Sequence, residues 1–174
     1  MFVLAGEFSV MERESNSVLI LPGEPLGDFG VLFGSRQQDN VAVRARISSD
    51  SRGRRLPAFS IGLNGRSGYR LRVNAAARAV QLLKGDRVYS EANFEWVPNT
   101  WIWLDLKIEK TDDKLWVITG KTWIENSLEP GYATVRIEDN KIPAKGRASA
   151  WGTPYSGKAI HFDDLSIYVK SVDK

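Results

Sequence analysis

Over most of this chain apolar and polar residues alternate one by one, and that period decides what it can fold into. In VAVRARIS, Val41, Val43, Ala45 and Ile47 fall on one side, while Ala42, Arg44, Arg46 and Ser48 fall on the other. Successive side chains of an extended strand point to opposite faces, so such a run is a strand with one face in a core and one toward solvent. The pattern returns in AFSIGL, with Phe59, Ile61 and Leu63 opposite Ala58, Ser60 and Gly62, and in YRLRVN, with Tyr69, Leu71 and Val73 opposite Arg70, Arg72 and Asn74. In ATVRIED, Ala133, Val135 and Ile137 oppose Thr134, Arg136 and Glu138. Only NAAARAV, residues 74–80, has a helical composition. It is too short to hold a helix alone and reads as a connecting turn.

Turn-forming clusters cut these runs at short intervals, at Pro22–Asp28, Arg36–Asn40, Asn64–Gly68, Lys84–Asp86, Pro98–Thr100, Thr111–Asp113 and Asp139–Gly146. The predicted strands are Glu7–Arg13, Ser17–Leu21, Phe29–Phe33, Val41–Ser48, Ala58–Leu63, Tyr69–Asn74, Ala79–Leu83, Arg87–Ser90, Trp101–Glu109, Leu115–Thr119, Ala133–Glu138, Arg147–Trp151 and Ala159–Val169. So many short strands exceed what one twisted open sheet carries without splitting in two. The expectation is an all-β fold, a two-sheet antiparallel β-sandwich of jelly-roll type, spanning residues 1–174 as one domain.

Composition narrows the function classes. Lys and Arg number 24 against 21 Asp and Glu, a net charge of +3 that is too small to argue for nucleic acid. The densest basic run, Arg52–Arg55, lacks interleaved aromatics and sits among Ser, Gly and Pro, as solvated turns do. With no cysteine, disulfides, thiolate metal sites and cysteine nucleophiles are all removed. No apolar run approaches the roughly 20 residues needed to span a bilayer, so membrane insertion is not expected. The opening MFVLAG lacks a basic flank and runs straight into strand-like sequence, unlike an intact signal peptide. A cytoplasmic location follows if nothing preceded it, and an extracytoplasmic or secreted one if a signal peptide was removed.

The succession GYRLRV, VQLLKGDRVY, NTWIWLDLKIE, LWVITGKTW and KGRASAWGTPYSGKAIHFDDLSIY resembles the concanavalin A-like lectin/glucanase superfamily, over roughly Gly6 to Lys170. Within it the chain is most similar to bacterial laminin-G-like and 3-keto-disaccharide hydrolase-type domains. The resemblance implies a jelly roll whose concave sheet commonly carries a sugar-binding groove. It leaves the activity open, because one fold hosts many functions. The leading expectation is a carbohydrate-binding, lectin-like module that holds an oligo- or polysaccharide by aromatic stacking and polar contacts. The alternatives are a glycoside hydrolase-type enzyme and a laminin-G-like protein-interaction domain.

Retaining glucanases of this superfamily carry Glu-x-Asp-x-Glu on one strand face, because the chemistry needs two carboxylates about 5 Å apart. The nearest approach here is Asp105, Lys107 and Glu109, with lysine in the central position. No catalytic residue is therefore assigned.

Candidate sugar contacts come from the polar strand faces. In TWIWLDLKIE, Ile102, Leu104, Leu106 and Ile108 face inward, which leaves Trp101 and Trp103 beside Asp105 and Lys107. A flat ring among charged groups suits a pyranose, whose C–H face packs on the ring while its hydroxyls bond to polar neighbours. Trp123, placed after a Gly120–Lys121 turn, and Trp151, opposite Ala148 and Ala150, are further candidates, together with Arg147 and the loop residue Tyr155. Arg70 and Arg72 share a face, and guanidinium groups favour uronate or sulfate. Packing over a sheet is the competing reading for each tryptophan, and an outer solvated face for each arginine.

His161 is the one histidine, which excludes a multi-histidine metal site. Asp163 and Asp164 stand where the apolar parity changes, from Ile160 and Phe162 to Leu165, Ile167 and Val169, so a β-bulge is expected there. Members of the superfamily often carry a structural calcium near the closing strand. Asp163 and Asp164, with Glu24 and Asp28 from GEPLGD, are the candidate ligands. The alternative is that the two carboxylates accept N–H groups freed by the bulge.

Overall fold

The alternation is realised throughout. The computed structural model describes residues 1–13 and 16–170, and no helix stands among them. The strands are β1 (Phe2–Ala5), β2 (Ser9–Arg13), β3 (Asn16–Leu21), β4 (Phe29–Gln37), β5 (Val41–Ser48), β6 (Ala58–Leu63), β7 (Tyr69–Asn74), β8 (Ala79–Lys84), β9 (Arg87–Asn93), β10 (Ile102–Asp112), β11 (Leu115–Ile124), β12 (Val135–Asp139), β13 (Gly146–Thr153) and β14 (Ile160–Val169). Residues 75–78 form a turn.

Two seven-stranded sheets result. Sheet I runs β1-β4-β13-β6-β7-β8-β9, and sheet II runs β12-β11-β10-β5-β14-β3-β2. Every pairing is antiparallel. Val43, Ala45, Ile47, Leu104 and Leu106 of sheet II are fully buried, as are Ile61, Leu71 and Val73 of sheet I, and they belong to one apolar core. Burying each large aliphatic side chain contributes about 1.5–3 kcal/mol, so this layer is the main source of stability.

Two local features depart from the expectation. Gly120–Lys121 is no turn: β11 passes through it without a break. A Cβ at Gly120 would come 2.5 Å from Leu71 Cδ1, so glycine lets the two sheets close here. The Met1–Gly6 segment also supplies a strand of its own, β1, paired with β4. At the end of the chain the register of β14 on β5 shifts between Asp163 and Ser166, and Asp164 has φ of +50°. This is the bulge that the parity change calls for.

Candidate functional site

Register places the outward residues of sheet I in rows. Gly30, Trp151, Ser60, Arg72, Gln81 and Glu91 stand side by side across β4, β13, β6, β7, β8 and β9. The next row holds Ser149, Gly62, Arg70 and Leu83. These residues face away from the core, yet Ser60 is 2% exposed, Gln81 6%, Trp151 6%, Arg70 8% and Ser149 0%. An outer sheet face this deeply covered is the floor of a groove.

Two cavities follow that floor. One, of about 300 Å³, is lined by Leu56, Pro57, Ser60, Arg72, Asn74 and Tyr155 among others. The second, of about 310 Å³, is lined by Leu4, Arg66, Ser67 and Gly85 among others. Asp28, Arg70, Asp86 and Trp151 line both and join them into one depression.

Charge on the floor is unevenly matched. Arg70 donates to Asp86 at 2.8 Å and to the Gly85 carbonyl at 2.9 Å, and its Nη1 lies 3.8 Å from Asp28. Arg72 gives Nε and Nη2 to a single neutral acceptor, Gln81 Oε1, at 2.9 and 2.7 Å. Gln81 in turn donates its amide to Glu91. Burial, and then the like charge of Arg70, hold the Arg72 guanidinium below its ordinary value. Among the described residues, Arg70 Nε, Ser149 Oγ and Trp151 Nε1 are buried with no hydrogen-bond partner. Because an unsatisfied buried polar group costs about 1–3 kcal/mol, three on one sheet face mark a place where a ligand or water completes the bonding.

The sequence candidates divide between the two outer faces. Arg70, Arg72 and Trp151 lie on the groove floor and Tyr155 on its rim. Arg147 shares their sheet but stands beyond the cavity lining, donating to the Gly34 carbonyl. Trp103, Asp105 and Trp123 sit on the outer face of sheet II, across the core, and cannot meet a ligand held on sheet I. Trp123 belongs to no rim. It lies within β11 directly opposite Trp103, is 7% exposed, and its ring stacks on Trp103 with centroids 6.1 Å apart and 18° between planes.

Arg44 covers Trp123 at 5.2 Å, and Arg46 lies over Trp101 at 4.9 Å and Trp103 at 6.0 Å. The sheet II depression, about 570 Å³, is larger than either sheet I cavity, but its charges are paired with one another. Arg44 meets Asp105 and Glu129, Lys121 meets Glu129, and Lys107 meets Glu109. Asp105 and Glu109 are thus held in separate ion pairs with cations rather than set up as a carboxylate couple.

The closing-strand carboxylates, as they are bonded here, do not fit a calcium ion. Asp163, nearly fully buried, accepts from Arg46 Nη2 at 2.6 Å, from Asn16 Nδ2 at 2.9 and 3.1 Å, and from the Asp164 N–H at 2.8 Å. Asp164 lies 3.2 Å from Arg46 Nε. A guanidinium therefore stands where the cation would. Asp28 is elsewhere, at the groove, where Thr153 donates to it at 3.1 Å. Among the described residues no group of three or more His, Asp or Glu could hold a metal ion. His161 lies edge-on to Trp101, centroids 6.5 Å apart, on the sheet II side.

Sequence reasoning missed Gln81, Ser149, Asp28 and Asp86 as groove residues. Gln81 and Ser149 carry a detectable signal, since each interrupts an apolar run on the outward parity of its strand. Asp28 and Asp86 stand in turns and carry none.

No protein-family model matches the chain, and no curated protein matches it. Solved structures do. The carbohydrate binding module CBM66 from Bacillus subtilis is 13% identical, with 95% of this chain and 92% of that one covered at a TM-score of 0.62. A legume lectin-like domain from Entamoeba histolytica is 11% identical, with 95% and 89% covered at 0.63. The VIP36 exoplasmic/lumenal domain, in a Ca2+/Man3GlcNAc-bound form, is 8% identical, with 97% and 84% covered at 0.62. At such identities the likeness establishes the fold alone, a two-sheet antiparallel β-sandwich of the kind these domains share.

Proposed function

We propose that this chain is a carbohydrate-binding module that holds an oligo- or polysaccharide in the sheet I groove. The observation that carries the reading is the floor itself, where Arg70 and Trp151 line an open cavity beside Ser60, and where Arg70 Nε and Trp151 Nε1 are buried without partners among the described residues. A sugar hydroxyl both donates and accepts, and a ring of hydroxyls can take bonds from guanidinium, indole and serine groups set a few ångströms apart. Tyr155, 56% exposed on the rim, is the aromatic surface best placed to stack on a sugar ring, because Arg70 already lies over Trp151. The names of two structural neighbours, a carbohydrate binding module and a Man3GlcNAc-bound domain, lend support.

An extracytoplasmic location belongs to the proposal, in keeping with the exoplasmic/lumenal domain among the structural neighbours. No helix among the described residues is long and apolar enough to cross a membrane. Binding needs no metal on this reading, since the closing-strand carboxylates are held by Arg46. The test is a broad glycan array probed with the purified chain, with and without calcium, followed by calorimetry on the hits. Binding to one glycan class that a Ser60→Trp change abolishes by filling the floor supports the proposal, and silence across the array removes it.

A further inference from the structure

We infer that the groove is built for an acidic glycan, with a ligand carboxylate or sulfate ester seated against Arg72; this rests on the glycan-binding reading above and narrows its substrate class.

The inference begins from how the floor's charges are matched. Two carboxylates line the groove, Asp28 and Asp86, and a third, Glu91, stands on the edge strand at the end of the floor row. Asp86 and Asp28 are turned to Arg70, and Asp28 also accepts from Thr153. Glu91 accepts from the Gln81 amide. Arg72 is different. Among the described residues no carboxylate lies within ion-pair reach of it, and its one partner is the neutral Gln81 oxygen. A half-buried guanidinium beside a second guanidinium, with Asp28, Asp86 and Glu91 acting on it only from beyond ion-pair distance, is costly to keep. An anionic oxygen delivered by a ligand removes that cost, whereas a hydroxyl leaves the charge unmatched.

Orientation supports the same reading. Gln81 has its amide nitrogen committed to Glu91, so its oxygen is fixed toward Arg72 and holds the Nε–Nη2 edge. No group of the chain takes Arg72 Nη1 among the described residues, and Arg72 lines the cavity. The guanidinium is thus oriented in advance, which lowers the entropy lost when an anion binds.

One end of the groove is basic as well. Leu56, Pro57 and Tyr155 line it. The adjoining Arg52–Arg55 hairpin exposes Arg52, Arg54 and Arg55, with Lys158 exposed in the loop that carries Tyr155. Arg52 Nη1 approaches Gly157 in that same loop, so the two loops stand together. A chain of acidic sugars leaving the groove past Tyr155 would run along this edge.

The experiment uses probes matched in everything but charge: oligogalacturonate against its methyl ester, and a sulfated galactan oligosaccharide against its desulfated form. Calorimetry is run on the whole chain over a range of salt concentrations. The expected result is acidic binding about tenfold or more tighter than the neutral counterpart, weakening steadily as salt rises. Arg72→Gln should remove that preference, and Arg72→Lys should keep part of it. Binding confined to the uronate, or to the sulfate, names which anion the site takes. Equal affinity for each charged and uncharged pair, or salt-independent affinity in the unaltered chain, overturns the inference and leaves the glycan reading standing. Absence of binding here and across the array overturns both. The salt titration of the unaltered chain decides the matter even if Arg72→Gln does not fold.

Discussion

The Arg70 guanidinium lies over the Trp151 indole, its central carbon 4.8 Å from the ring centroid. The same ring packs against Gly30 on the neighbouring strand, where any Cβ would collide with its six-membered portion. Trp151 is therefore a support that holds Arg70 on the floor, and Gly30 is the space that lets it lie down. Gly30→Ala should lift the indole, destabilise the protein by about 1–3 kcal/mol, and lower glycan affinity together with stability. Thermal unfolding and calorimetry on the same sample check it.

Tyr155 should behave in the opposite way. Its ring is more than half exposed at the cavity rim, and its backbone is held by the loop, its N–H donating to the Thr153 carbonyl at 2.9 Å. Tyr155→Ala is expected to leave the melting temperature within about 2 °C and to weaken glycan binding about tenfold, as loss of an aromatic contact of roughly 1–1.5 kcal/mol would. Tyr155→Phe should bind nearly as well if stacking is the contact, and equal loss in both variants would point to the hydroxyl instead.

The period of two in Val41–Ser48 or Tyr69–Asn74 states which residues share a face, and each of these runs folds with the parity read from it. It is silent on which strands are neighbours. Arg70 and Trp103 look alike by parity, polar-face residues on half-apolar strands, but β7 joins one sheet and β10 the other. What made a floor of Trp151, Ser60 and Arg72 was the insertion of β13 between β4 and β6, long-range pairings such as Trp151 with Gly30 and with Ser60 that no local signal announces. Gly120 misled for a related reason: glycine reads as a turn, and its cause here is Leu71 on the opposite sheet. The Asp163–Asp164 bulge was legible because parity is local. Its Arg46 partner was not, being supplied by the neighbouring strand.

Trp103 tests the division between faces. It stacks on Trp123 and sits under Arg46, so it holds together the outer layer of sheet II. Trp103→Ala should cost about 2–3 kcal/mol of stability through lost area and ring contact. Glycan affinity measured below the unfolding transition should stay unchanged. A selective loss of binding, with stability intact, would place the sugar on sheet II.

Removing Asp163 should be the more damaging change on that side. Its carboxylate is nearly fully buried and bonded to Arg46, Asn16 and the Asp164 N–H, so Asp163→Ala takes from Arg46 its most buried carboxylate, leaving Glu125 and Asp164, and leaves the Asn16 amide and the Asp164 N–H without their acceptor. The expected cost is about 3 kcal/mol. Chelator should leave the melting temperature of the unaltered protein where it was, because Arg46 already supplies the positive charge. A drop of several degrees on adding EDTA, restored by calcium, would contradict this account of the carboxylates.

A last pair governs stability against pH. The Tyr69 hydroxyl donates to Asp139 at 2.8 Å, and Lys84 bonds the same carboxylate. Burial, and then the bond to Asp139, push the Tyr69 phenol well above its ordinary value. Burial opposes ionisation of Asp139, but Lys84, the Lys141 N–H and Tyr69 outweigh it and hold the carboxyl below its usual range. For Asp139 the unfolded chain binds the proton more readily, so its contribution is present at neutral pH and is lost as pH falls below about 4 and through the lowered native value. For Tyr69 the native state keeps the proton more readily, so its contribution is full below about pH 10 and declines above it. Denaturant titrations from pH 2 to 11 should therefore show stability falling at both ends. Tyr69→Phe, at a cost of about 1–2 kcal/mol, should flatten the alkaline fall attributable to this phenol while the acid fall persists through Lys84. An unchanged alkaline limb in Tyr69→Phe would assign that limb to another group.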